Sequence, residues 1–593
     1  MSRSKCRAKA APVSATNGWR IPASLAILIG VAFYPSLKIP FLYDDYQIYL
    51  DHWPDVSWAA LIHDLTSHFQ QNRILAHLTW YLQLIIDPAR PPEALWFHLV
   101  NLAIHFLNSL LVVSLVRALG ATDAVSYLTG CLFAVHPGNM EAVAYLYGRS
   151  DLQITALILG SLLLLGRPAN RMGILTALAV LAVLTKETVV VLPALYLLSA
   201  GLLRAVTYPI DRRALAFTLA VAAAGVAAFV FLKTDHADNF GYSLPDAGRY
   251  LLLQPFVLML GLLRLVVPWG FSILYQFDLP SGIADPRVIG CVLVWMALVW
   301  PAVHWYRRGD RFYLFSLGWY VAAMAPTNSI VPRIDQLSDR HLYLASIGPL
   351  WALSHLIDRL RARVSRDRGR LMVWAAVGTC VILTMQRNLS WQSPVDLWTT
   401  TVRRFPNSHL AHRELAAEWG RAGNSQTELE TLDMITRQWP QDWTSWNNLG
   451  IAYAALGRRR EEQTAYRHAI DNAPRRHQSL LHHNLAFSLQ NDGQIDLAMA
   501  EYRQASELDP TASGSMHNLA VLLWTRGQLI EASRLLETVL DLQPHMDLAR
   551  RNLAMVLIDQ GRAAEARPHL EKIQHSNSFG ADARQLLAKL ESR

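Results

Sequence analysis

Two adjacent carboxylates, Asp44 and Asp45, follow directly on the first apolar run of the chain. Placed there, a carboxylate pair can take a proton from a hydroxyl or hold a divalent cation. The plain alternative is an acidic helix flank left in water. Ionisable groups at membrane depth tip the balance toward chemistry, because burying them unpaired is costly.

Three further polar groups stand at the ends of apolar runs. His136-Pro137-Gly138-Asn139-Met140-Glu141 leads on to Gly148-Arg149-Ser150-Asp151. Pro137 suits the start of a helix, and Ser150 or Asp151 can cap one. Those roles leave His136, Glu141 and Arg149 without a local structural reason. Lys186-Glu187 reads either as a mutual ion pair at a span end or as a ligand contact. Arg333, Asp335, Asp339, Arg340 and His341 precede another apolar run, and cations there can hold a phosphate at a bilayer surface. Arg73, in the long stretch after the first run, is a further candidate. No glycine-rich phosphate loop, nucleophile elbow or zinc pattern is present, so nucleotide hydrolysis is not expected. The four cysteines follow no metal-site or disulfide spacing.

These groups need a frame that gathers them on one side. Of 593 residues, 52% are hydrophobic and 17% charged, against about 25% charged in an ordinary globular chain. The deficit is confined to residues 20–386, where apolar runs dominate. The net charge of +8 does not point to nucleic acid, because the arginines cluster in short loops between apolar segments, as membrane topology requires. Twelve segments approach spanning length: 21–39, 95–118, 122–136, 151–166, 171–185, 187–204, 213–232, 250–268, 287–306, 312–326, 341–357 and 371–386. Residues 1–20 form a basic tail, and no cleavage pattern follows the first run, so it is expected to be a retained span with the tail in the cytoplasm. The loops at Arg167/Arg171, Arg204/Arg212/Arg213, Arg307/Arg308/Arg311 and Arg359–Arg370 then all fall in the cytoplasm if 250–268 does not cross. Eleven spans plus one re-entrant or interfacial segment are therefore expected, with Pro255, Pro268 and Gly270 suited to a broken helix. On this count the four polar groups and the C-terminal part share the non-cytoplasmic face.

The C-terminal part repeats. A Leu-small pair recurs at 415, 449, 485, 519 and 553, spacings of 34, 36, 34 and 34 residues, which is the tetratricopeptide period. Trp446, Tyr453, Tyr466, Ala469 and Pro474 occupy the remaining signature positions of the second unit. Five helix-turn-helix repeats over 409–580 and a capping helix from 581 are expected, stacked into a superhelix with a concave groove for a protein or peptide. The chain thus divides into a 1–20 tail, a 21–390 membrane domain, a 391–408 linker and a 409–593 repeat domain. Its fold class is all-α: a polytopic transmembrane bundle followed by a tetratricopeptide α-solenoid.

Taken in order, several stretches resemble the transmembrane and tetratricopeptide-repeat-containing O-mannosyltransferase family. They are Phe41-Leu42-Tyr43-Asp44-Asp45, Phe133-Ala134-Val135-His136-Pro137, Gly148-Arg149-Ser150-Asp151-Leu152, Thr185-Lys186-Glu187-Thr188, Pro326-Thr327-Asn328, Arg340-His341-Leu342-Tyr343 and Arg387-Asn388-Leu389-Ser390-Trp391. The resemblance covers nearly the whole chain and implies a C-type (GT-C-like) glycosyltransferase that moves a sugar, mannose first, from a polyprenyl phosphate to an acceptor hydroxyl. It implies a site at the non-cytoplasmic face, an inverting displacement, and Asp44 or Asp45 as the base. Arg73, His136, Glu141, Arg149, Asp151, Lys186, Glu187 and Arg340 are the candidate substrate contacts. No metal is required by that branch, although Mg²⁺ or Mn²⁺ is compatible with a carboxylate pair. Gln71-Asn72-Arg73-Ile74-Leu75 departs from the Arg-Pro-Leu run usual in relatives, and five repeats make a shorter array than the animal enzymes carry. The Arg/Ala-rich composition points to a bacterial inner membrane with periplasmic repeats, or to the ER membrane with lumenal repeats in a eukaryote. A non-catalytic envelope scaffold explains the repeats equally well but not the polar groups gathered at one face. A transporter would place such groups nearer mid-membrane.

Overall fold

The structure, a computed structural model, describes residues 19–42, 45, 73–86, 93–165, 172–202, 212–232, 246–328, 332–333, 335–576 and 578–591. Asp44 lies outside these residues. The described residues contain helices and no strand. That is what long apolar runs dictate, because a helix satisfies its backbone donors and acceptors internally where water is absent. The longer helices of the N-terminal unit are α1 (Arg20–Phe33), α2 (Ile74–Ile86), α3 (Ala94–Ala118), α4 (Asp123–Val135), α5 (Arg149–Leu165), α6 (Met172–Val183) and α7 (Arg212–Leu232). They continue with α8 (Ala247–Val266), α9 (Pro286–Arg307), α10 (Phe312–Met324), α11 (Ile347–Arg361), α12 (Arg366–Ser390) and α13 (Pro394–Arg404). Six helical stretches among the described residues are long and apolar enough to cross a membrane, and five shorter apolar helices accompany them. This is the make-up of a multi-pass membrane protein.

Three segments differ from expectation. α2 is an apolar helix that the span count omitted. The run expected at 341–357 is divided into a 3₁₀ turn Asp339–His341, a short helix Leu342–Ala345 and α11. The segment expected to dip and return at 250–268 is instead one continuous helix, α8, with Pro255 inside it. Its Pro255 carbonyl accepts the Trp295 indole N–H from the middle of α9 at 2.9 Å, and three other contacts fall near the ends of its neighbours. Gln254 meets Asn328 just past α10, the Leu258 carbonyl accepts the Tyr320 hydroxyl, and the Leu265 carbonyl meets His136 just past α4. By length and composition α8 could cross a membrane, yet these partners lie at or near one end of α4 and α10.

α3 carries the polar stripe that frames the bundle. His98, Asn101, His105 and Asn108 recur at helical spacing and are buried. Each bonds a carbonyl of another segment: Ile39 at 2.9 Å, Val143 at 3.1 Å, Ala134 at 2.9 Å and Leu152 at 2.9 Å respectively. The Val143 and Ala134 carbonyls lie in the last turn of their helices, where the helix itself leaves carbonyls unpaired. Gly130 lets α4 close on this helix, since a Cβ there would stand 2.2 Å from Val113 Cγ2.

The C-terminal unit consists of five helix pairs: His409–Arg421 with Ser425–Gln438, Trp443–Ala455 with Arg459–Asn472, Arg475–Asn491 with Ile495–Leu508, Ser513–Thr525 with Leu529–Leu542, and Asp547–Asp559 with Ala563–Ile573. A final helix, Gly580–Glu591, follows. Gly423, Gly457, Gly493, Gly527 and Gly561 sit between the paired helices with φ from 71° to 78°, a conformation other residues adopt only at a cost. The repeat signature packs inward: Leu485, Ala486, Leu519, Ala520, Leu553 and Ala554 are all buried.

Candidate active site

The acidic loop is anchored from its second carboxylate. Asp45 is 1% exposed, and its Oδ2 accepts the Leu42 N–H while its Oδ1 accepts the Tyr147 N–H, both at 3.0 Å. These bonds tie the end of the first apolar run to the turn Leu146–Gly148, about a hundred residues further along the chain. Asp45 is therefore a fixed point. A divalent cation beside it would need further oxygen ligands, and among the described residues no three His, Cys, Asp or Glu side chains converge on a metal-sized space.

Tyr147 carries two cations. The Arg73 guanidinium lies 4.1 Å from its ring centroid, and Arg340 lies 5.6 Å from the same ring and 5.8 Å from that of Tyr145. Arg73 Nη1 is buried with no hydrogen-bond partner. Burial opposes the charge on Arg340, but Glu141, Tyr145, Asp151 and Asp335 around it outweigh that and hold its pKa above the usual value. The arrangement places a carboxylate-anchored loop and two guanidinium groups on one aromatic residue. Guanidinium groups pair with carboxylate and with phosphate oxygens alike.

Of the two readings of Lys186-Glu187, the mutual ion pair does not form. Lys186 forms a buried ion pair with Asp151, Nζ to Oδ1 at 2.6 Å, while Glu187 stands within electrostatic reach of Lys186, Arg73 and Arg333. Burial pulls the Lys186 ammonium below its usual pKa, and Asp151 resists that pull.

Two expected contacts have structural partners instead. Both ring nitrogens of His136 are engaged: Nδ1 accepts the Gly138 N–H at 3.0 Å and Nε2 meets the Leu265 carbonyl at 3.2 Å. Burial lowers its pKa to about 4, which keeps it neutral. Arg149 is 0% exposed. Its Nε donates to Asn101 at 2.8 Å, its Nη2 to the Phe97 carbonyl at 3.1 Å, and its Nη1 to Gln83 and Thr79. It ties α5 to α2 and α3. Likewise the His136 ring joins α4 to α8.

Beside these lies a second network that sequence reasoning covered only in part. Glu141 accepts the Ser338 hydroxyl at 2.7 Å and the Asp339 N–H at 3.1 Å. Asp339 accepts Arg387 Nη2 at 2.7 Å and the Tyr275 hydroxyl at 2.9 Å. Arg387 also donates to the Pro137 carbonyl at 2.6 Å and stands 3.8 Å from Glu141. Arg264 stacks 4.3 Å from the Tyr275 ring and approaches Asp339 to 3.8 Å. Burial, with the Asp339 charge adding to it, raises the Glu141 pKa. Burial also lifts Asp335, which accepts the Tyr275 N–H, to about 7. Arg264, Tyr275 and Arg387 were not among the expected site residues. The available signal was an arginine in the last turn of a helix after a long uncharged stretch, the position of both Arg264 and Arg387.

The tetratricopeptide repeat family matches residues 444–476, 481–511 and 523–590. Protein O-mannosyl-transferase Tmtc1 of Drosophila melanogaster is 31% identical over 211 residues, 32% of this chain and 24% of the relative. Human protein O-mannosyl-transferase TMTC4 is 23% identical over 478 residues, 66% of this chain and 63% of the relative. Mouse TMTC3 is 23% identical over 513 residues, 74% of this chain and 53% of the relative. The chain thus spans less than two thirds of the length of each of these relatives. Among solved structures, the tetratricopeptide protein YrrB aligns over 32% of this chain and 99% of its own, at 16% identity and a TM-score of 0.28.

Proposed function

We propose that this chain, a relative of the tetratricopeptide-containing protein O-mannosyltransferases, is a membrane-embedded glycosyltransferase. It moves a sugar, mannose first, from a polyprenyl-phosphate donor to an acceptor hydroxyl at the non-cytoplasmic face. The observation that carries this reading is the pair Arg73 and Arg340 on Tyr147, whose backbone N–H is held by Asp45. A single inverting displacement needs one base for the attacking hydroxyl and cations for the departing phosphate. Arg73 and Arg340 supply the cations. Asp45, already bonded to two amides, sets the loop, and its neighbour Asp44 takes the proton. Lys186 is neutralised by Asp151, and Glu187 stands within electrostatic reach of Arg73. The tetratricopeptide array holds a protein or peptide, as that fold commonly does.

The test is sugar transfer by the full chain in nanodiscs, with polyprenyl-phosphate mannose and periplasmic or lumenal proteins as acceptors. Wild type, Asp44→Asn and Arg340→Met are compared. The reading expects transfer by wild type, a loss of about 10²–10⁴ in Asp44→Asn and weaker donor binding in Arg340→Met. Absence of transfer from mannose and from other polyprenyl-linked sugars would favour a non-catalytic scaffold.

A further inference from the structure

Two helix hairpins turn at the end of the bundle away from the candidate site. α12 carries Arg387 of the second network near its C-terminus and Arg366 at its start, and at 1.5 Å per residue the two stand about 32 Å apart. That is about the thickness of a bilayer's hydrocarbon core. At the Arg366 end, α9 turns into α10 through 308–311 and α11 into α12 through 362–365. The two turns lie side by side. Arg359 on α11 reaches Asp310 at 3.4 Å and the Tyr313 hydroxyl at 3.2 Å, and the Phe312 ring meets those of Trp351 and His355 at 4.9 and 4.7 Å.

These turns and their flanks hold nine arginines against three carboxylates. Each carboxylate takes one arginine: Asp310 takes Arg359, Asp358 takes Arg361 at 2.6 Å, and Asp367 stands 3.9 Å from Arg370. Arg307, Arg308, Arg311, Arg363, Arg366 and Arg368 remain, and among the described residues none of the six has a carboxylate within ion-pair distance. All but the half-buried Arg311 are exposed. Like charges on adjacent turns repel one another, and a layer of external anions reverses that penalty. Arg366 and Arg368 also stand in the first turn of α12, where backbone N–H groups favour an anion, and Ser365 gives those groups no side-chain cap.

The surroundings of the arginines identify the anion. Trp300, Trp305 and Tyr306 on α9 and Trp374 on α12 are exposed, all within about 12 Å of the arginines along their helices. Exposed tryptophan and tyrosine at that depth are the mark of a bilayer interface. Further along, the exposed side chains are aliphatic, with Val292, Leu293 and Met296 on α9 and Ile382 on α12. Of the six candidate spans, α9 and α12 bury the smallest share of their residues. A soluble polyanion meets the arginines alone, whereas an anionic lipid meets the arginines with its phosphate and the aliphatic stretch with its chains.

We propose that this double turn binds anionic phospholipid: phosphate headgroups occupy the unpaired arginines of both turns, and acyl chains run along α9 and α12. Guanidinium groups offer such headgroups paired N–H donors. The surface lies across the bundle from Arg387 and needs no sugar transfer.

The test mixes the full chain in detergent with equal amounts of phosphatidylglycerol and phosphatidylcholine of identical acyl chains, and native mass spectrometry counts each lipid retained. Phosphatidylglycerol is expected in about fivefold excess or more, the preference that a single basic residue near an anionic surface confers. The triple variant Arg363→Gln, Arg366→Gln, Arg368→Gln should cut that excess by about half or more, and lysine at the same three positions should keep most of it. Arg460→Gln, Arg467→Gln and Arg534→Gln together remove equal charge from exposed positions in the repeats and should leave it unchanged. On the wild type, which needs no variant to fold, raising salt from about 0.1 M to about 0.5 M should shrink the excess. Equal counts of the two lipids, an excess indifferent to salt, or one that the first triple variant keeps would overturn the proposal. So would an equal loss in the repeat variant, because the excess would then follow net charge alone. Displacement of the bound lipid by millimolar inorganic phosphate would make the turns a free-phosphate site, and displacement by a short RNA a nucleic-acid surface; either outcome refutes the lipid.

Discussion

Replacing Asp45 separates an anchoring carboxylate from a catalytic one. Its two oxygens each accept a backbone N–H at 3.0 Å in a site that is 1% exposed. Hydrogen bonds to a charged group contribute about 1.5–3 kcal/mol each, and an orphaned buried N–H costs a similar amount. Asp45→Ala removes both bonds, and allowing for partial relaxation the loss should be about 2–4 kcal/mol. Asp45→Asn keeps one acceptor oxygen but turns an amide NH₂ toward the other N–H, so about half of that loss is expected. The buried free thiols of Cys131, Cys291 and Cys380 make a thiol-reactive dye a suitable reporter of thermal unfolding. Midpoints should fall by several degrees in Asp45→Ala and by less in Asp45→Asn. Asp44→Asn, measured alongside, should lose transfer with an unchanged midpoint. If Asp45→Ala unfolds with wild type while losing transfer, Asp45 is the base and not the anchor.

Three other outcomes follow from the same contacts. Arg149→Met should lower the thermal midpoint without changing donor affinity in the protein that folds, because all its identified polar partners are structural; weaker donor binding at an unchanged midpoint would return Arg149 to the ligand contacts. Asp335 has a folded pKa of about 7, above the roughly 3.9 of a free aspartate, so the folded state holds the proton more tightly. Stability should therefore fall as pH rises from about 4 to 7, with Glu141 acting in the same direction. Asp335→Asn should flatten that slope, and a midpoint that rises over this window would contradict the burial of both carboxyls. Gly527→Ala should speed hydrogen exchange across 513–542, because φ of +76° costs an alanine about 1–2 kcal/mol although open space surrounds it; exchange identical to wild type would mean the turn relaxes freely.

Much of the architecture was legible in the residues because it is periodic and local. The repeats announce themselves through a Leu-small pair every 34 to 36 residues, and the structure forms a helix pair at each. Long apolar runs became helices for a reason that needs no partner, the internal pairing of backbone groups. The placing of Asp45, Lys186 and Arg340 was also readable, since each stands at the end of an apolar run, whereas Arg73 precedes α2, which the span count omitted. Less readable were breaks within such runs. The 3₁₀ turn at Asp339–His341 places Asp339 and Arg340 at a helix start, and hydropathy alone does not mark it.

Pairing, in contrast, was decided by tertiary structure. Lys186 stands beside Glu187 in sequence but pairs with Asp151, 35 residues away, because the start of α5 and the loop after α6 pack together. Arg149 and His136 stand at the ends of apolar runs in the sequence, and it is α3 and α8 that bring Asn101 and the Leu265 carbonyl to them. Arg387 meets Asp339 and the Pro137 carbonyl across separations of 48 and 250 residues. A charged side chain at a span end will bond the nearest complementary group, and only the packing of distant segments determines which group that is. The sequence therefore determined that the polar residues stand at the ends of apolar runs, whereas the fold decided which groups each of them bonds.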